Sequence, residues 1–126
     1  MMPETSNTAI ARYRRALEAF SAATMDEFLT LCTADIEFRD PFNHTFTRDH
    51  FRLALEHMLD NVKDLRFEVH EIWGHERSWV LKWTFTGRTK LIGELEIPGL
   101  SEITLDDDGL VSVSYTHLTL PTILLV

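Results

Sequence analysis

"TADIEFRDPFN", residues 33–43, alternates apolar and polar side chains through Ile36, Glu37 and Phe38 and then sets Asp40 directly before Pro41. A period of two is that of a strand, and a proline, which has no N–H to give to a ladder, stops it. The stretch therefore reads as a short strand closed by a turn. At that turn Asp40 is either a capping residue for nearby amides or a working carboxylate at a strand end.

Working outward from this strand, "TSNTAIARYRRALEAFSAA" (from Thr5) has Ile10, Tyr13, Ala16, Leu17 and Phe20 at steps of three and four behind Ser and Thr caps. This spacing predicts an amphipathic helix with Tyr13 on its buried face. "TMDEFLTLCTAD" opens on a Thr cap and predicts a second, short helix ending at Asp35, with Cys32 a small buried hydrophobe on it. "TRDHFRLALEHMLDNV" places Phe51, Leu55, Met58 and Leu59 on one stripe and predicts a third helix. Past Asp64 the period shortens. "LRFEVHEIW", "SWVLKWTFTGRT", "LIGELEIPGLSEITLDDDG" and "LVSVSYTHL" are rich in β-branched and aromatic residues, with turn signals at Gly74, Gly87, Pro98-Gly99 and "DDDG". The expectation is α+β: three N-terminal helices packed on one face of an antiparallel sheet.

At 126 residues the chain fits one domain with a core and a small cavity. Its 20 acidic and 12 basic residues give a formal charge of -8, which opposes nucleic acid and anionic membrane surfaces as partners. The single cysteine excludes an internal disulfide, and neither a secretory signal pattern nor a membrane-length apolar run is present. A cytoplasmic location is the expectation. No phosphate loop, serine-hydrolase elbow or EF-hand spacing occurs, and the histidines lack the spacing of a local metal motif, so neither a metal nor a cofactor is expected.

The end of the chain differs from the rest. After Asp108 it carries no acidic or basic side chain other than His117, and it finishes in "PTILLV". The codons GTC TCT TAT ACA CAT CTG ACG CTG CCG ACG spell Val113 to Thr122 and match the transposase end and adapter used to fragment DNA for sequencing. The domain is accordingly expected over residues 1–112, with residues 113–126 a non-native tail standing in for the last strand. A genuine edge strand is the other reading of "VSVSYTHL".

"ARYRRALEAF" followed by "TADIEFRDPFN", with "LRFEVHEIW", "VLKWTFTG" and "GLSEITLDDDGLV", resembles the SnoaL-like, ketosteroid-isomerase-like branch of the NTF2-like superfamily. The resemblance implies a cone of helices and curved sheet around an apolar pocket, and a homodimer. In steroid isomerases of that branch a helix tyrosine donates to the developing enolate, and the aspartate of an Asp-Pro motif carries the proton. By position these are Tyr13 and Asp40. The second donor of those enzymes, a protonated aspartate, is replaced here by Ser101, with Glu102 expected to face the other way. Trp83, His57 and Phe42 are the remaining expected substrate contacts, and the implied partner is a small apolar molecule. The reading that follows is a proton transfer next to a carbonyl, as in an isomerase or a polyketide cyclase. A non-catalytic ligand-binding or dimerisation module is the alternative.

Overall fold

The structure, a computed structural model, describes residues 6–119. Helix α1 (Ser6–Glu18) buries Ile10, Tyr13 and Leu17 at helical spacing, while the cap expected around Thr5 lies outside the described residues. Helix α2 (Met25–Leu29) is a single turn. The Thr30 backbone N–H still donates to the Asp26 carbonyl at 3.1 Å, the i to i−4 bond that completes this turn, and its hydroxyl donates to the Glu27 carbonyl at 2.6 Å.

The helix expected to run to Asp35 therefore ends early, and Cys32 opens strand β1 (Cys32–Arg39) instead. The reason is long-range: Cys32 pairs with Val111, whose N–H donates to the Leu31 carbonyl at 2.8 Å. A two-residue strand β2 (His44–Thr45) follows the Asp-Pro turn. Helix α3 (Arg48–Asn61) begins at Thr47, whose side-chain oxygen accepts the His50 N–H at 3.1 Å. Two helices thus precede β1, and the third lies after β2 rather than in one N-terminal group.

Four long strands complete the sheet: β3 (Lys63–His75), β4 (Ser78–Thr89), β5 (Gly93–Leu105) and β6 (Val111–Leu118). Their order is β2-β1-β6-β5-β4-β3. The expected antiparallel sheet is mixed, because β6 lies beside β1 and runs parallel to it. The segment through α3 carries the chain to the far edge, and three hairpins then fill the sheet back toward β1, so the number of reversals fixes the direction of β6. Register shifts between Val69 and Glu71 and between Thr104 and Leu105 bend the strands.

Pro98 and Gly99 form no turn but sit inside β5, opposite Thr84 and Trp83. Glycine is required there, since a Cβ at Gly99 would overlap the Trp83 indole. On the β3 edge, the Val69 N–H donates to Glu18 Oε2 (2.9 Å) and the Val69 carbonyl accepts from Arg14 Nη2 (3.0 Å), so α1 covers backbone groups that an edge strand leaves open. Residues 113–118 of the segment matching adapter codons pair within the sheet as β6, and residues 120–126 lie outside the described residues.

Candidate functional site: an aromatic pocket between helices and sheet

Alternation along β4 turns Trp79, Leu81, Trp83 and Phe85 to the helices, where Phe28 of α2 and Phe51 of α3 also point. Ile36, Leu81, Ile103 and Val111 close the fully buried part. Toward the other end the layers do not meet and leave a pocket of about 510 Å³. All six residues expected at a site (Tyr13, Asp40, Phe42, His57, Trp83 and Ser101) line this one pocket. The fold brings them together from α1, the Asp-Pro turn, α3, β4 and β5.

Tyr13 is 4% exposed, with its ring 5.4 Å from that of Phe28. Burial pushes its phenol above the ordinary range, and the neighbouring Cys32 thiol acts in the same direction. A hydrogen bond with the Ser114 side chain opposes the shift. The hydroxyl consequently keeps its proton and is a standing donor.

In the same pocket, the Trp83 indole N–H donates to Ser101 Oγ at 3.0 Å, and Ser101 Oγ lies 3.2 Å from Thr116 Oγ1. An indole nitrogen only donates, so Ser101 must accept from it and has one proton left for Thr116 or for a ligand oxygen. Glu102 faces the opposite side and meets His117 at 2.7 Å, as alternation requires.

Asp40 takes up the turn-capping role, one of the two readings of its place in the sequence. Its Oδ1 accepts the Phe42 N–H (2.8 Å), the Asn43 N–H (2.6 Å) and Asn43 Nδ2 (3.2 Å). Oδ2 has only Asn43 Nδ2, at 3.3 Å. One carboxylate oxygen thus holds the turn while the other retains acceptor capacity. Phe42, 66% exposed, and His57, also exposed, stand at the rim.

His44 does not join the site. It meets Glu37 at 2.8 Å and is not among the pocket residues. The Cys32 thiol is fully buried, and burial pushes its pKa up to about 12, so it is a packing group rather than a nucleophile. Among the described residues no group of three His, Cys, Asp or Glu is placed to hold a metal ion, and no helix is long and apolar enough to cross a membrane.

Asn43, Asn61, Ser114 and Thr116 also line the pocket with polar side chains and are not among the candidates read from the sequence. Asn43 had a local signal, since an Asp three residues before an Asn suits a side-chain-capped turn. Ser114 and Thr116 belong to the segment discounted as tail, and only the pairing of β6 with β5 places them in the pocket wall.

Residues 13–113, from the pocket tyrosine to the start of β6, match the SnoaL-like domain family. The chain belongs to that family. No curated protein sequence matches it significantly. Among solved structures, this SnoaL-like domain is similar to TsrD from Streptomyces laurentii, with a TM-score of 0.76 at 16% identity over 92% of each chain. It is also similar to a protein described as a SnoaL-like polyketide cyclase from Shewanella putrefaciens CN-32, with a TM-score of 0.75, 16% identity, and 94% of this chain and 91% of that one covered. A steroid delta-isomerase from Pseudomonas aeruginosa aligns with a TM-score of 0.69 and 20% identity over 97% of this chain and 85% of the other. At these identities the likeness shows a shared NTF2-like fold.

Proposed function

We propose that this SnoaL-like domain binds a small apolar carbonyl compound and moves a proton next to the carbonyl, as an isomerase or cyclase does. The observation that carries this reading is that Asp40 and Tyr13 line the same apolar pocket. Asp40 Oδ2 takes and returns the proton, and Oδ1 stays in the turn, which fixes the carboxylate. Tyr13 donates to the oxygen on which negative charge develops, and the remaining proton of Ser101 is a second donor. Trp83 positions Ser101 and, with Phe42 and His57 at the rim, packs on the ligand. The chemistry asked of these residues needs no cofactor.

Turnover of a β,γ-unsaturated ketosteroid and of aldol-type polyketide analogues tests the reading. Asp40→Asn keeps an oxygen for the turn amides yet removes the base, and is expected to lower kcat/KM at least about a hundredfold. Tyr13→Phe is expected to cost about a hundredfold. Turnover untouched by either substitution would refute the catalytic reading. The second reading, a non-catalytic binding module, is favoured by one observation: Asp40 is already occupied as a turn cap through Oδ1. Ligand binding unaltered by Tyr13→Phe, with no turnover, is its signature.

A further inference from the structure

The pocket wall carries one carboxylate, Asp40, and, among the described residues, neither lysine nor arginine. Three guanidinium groups that do not line the pocket have partners that do not line it either. Arg14 donates to the Val69 carbonyl at 3.0 Å and Arg48 to the Cys32 carbonyl at 3.1 Å, while Arg39 lies over the Tyr115 ring, 4.9 Å from its centre. An anionic group drawn into this space would give up its water, face a carboxylate of the same sign and find no cation to offset either cost. The rings of Phe28, Phe51, Phe67, Trp83 and Phe85 add to this, because their faces are negative and attract cations. The formal charge of -8 on the chain acts in the same direction at longer range.

We infer that the pocket selects ligands by charge. It takes neutral or cationic apolar molecules and rejects carboxylates and phosphates, and Asp40 is the residue that sets this preference. The free acceptor capacity on Oδ2 gives a cationic or hydroxyl-bearing group its place at the mouth. The inference rests on the pocket being the ligand site but concerns binding alone, and it stands whether or not Asp40 transfers a proton.

The test is calorimetric titration with three probes on one skeleton: naphthyl methanol, its trimethylammonium analogue and naphthoate. His57 is the other ionisable group at the rim, so all three titrations are made at one fixed pH and repeated with His57→Gln. The naphthoate is expected to bind at least about tenfold more weakly than the alcohol, and the ammonium at least about threefold more tightly. Asp40→Asn should cancel the ammonium's advantage over the alcohol and narrow the naphthoate's deficit. Naphthoate binding as tightly as the alcohol overturns the inference, as does an ammonium advantage that survives Asp40→Asn, or no binding by any probe. Charge-selective binding with turnover of neither the ketosteroid nor the polyketide analogues would refute the catalytic reading and leave this inference standing.

Discussion

At the scale of the residue, the two oxygens of Asp40 are used unequally: Oδ1 accepts from the Phe42 and Asn43 amides, and Oδ2 accepts only from Asn43 Nδ2 at 3.3 Å. Tyr13 and Cys32 carry a consequence for stability. Both hold their protons more tightly in the folded chain than the ordinary phenol and thiol do, because burial penalises the charged form. A raised folded-state pKa contributes stability that is fully present below the unfolded value and is lost as pH rises through the folded one. For Cys32 that window runs from the ordinary thiol value of 9.0 to about 12, and Tyr13 extends the loss upward from 10.0. The unfolding free energy from urea titration is therefore expected to be level near neutral pH and to fall above pH 9.0, by at most about 1.4 kcal/mol per pH unit for each group, and the midpoint falls with it. Cys32→Ala should remove the first part of the fall. A midpoint unchanged up to pH 10.0 would contradict the burial of this thiol.

At the scale of the element, β5 shows what local signals miss. "PG" is a strong turn signal in isolation, but here both residues lie within a strand because the Trp83 indole needs the space above Gly99. Gly99→Ala is expected to displace that indole from Ser101 and to cost about 1–3 kcal/mol in urea unfolding. An altered tryptophan emission should accompany the loss, and an unchanged emission and midpoint would show that the ring is not held against the glycine. The same competition explains α2. Its apolar pattern continues past Leu29, but Cys32 and Ile36 gain more from pairing in β1 beside β6 than from another helical turn.

At the scale of the molecule, the pocket exists because the three helices, the Asp-Pro turn and strands β1, β3, β4, β5 and β6 converge on one space. The opposite face of the sheet carries Leu100 and Tyr115, next to the polar groups Glu102 and His117. We propose that a homodimer forms through this face. Light scattering is expected to give twice the chain mass, and Leu100→Lys the single mass; a monomer in the unsubstituted protein removes the proposal. The sequence by itself determined the α+β class, the stripes of α1 and α3, the spans of β4 and β6 to within a residue, and the facing of Ser101 against Glu102. These are set by periods and caps within a few residues of each position, which a chain displays without its neighbours. Tertiary structure alone decided that β6 runs parallel to β1, that α2 ends at Leu29, and that Ser114 and Thr116 enter the pocket beside Tyr13 and Ser101. Each of these depends on contacts between segments far apart in the chain, where pairing and burial outweigh the local preference and leave no mark in the local pattern.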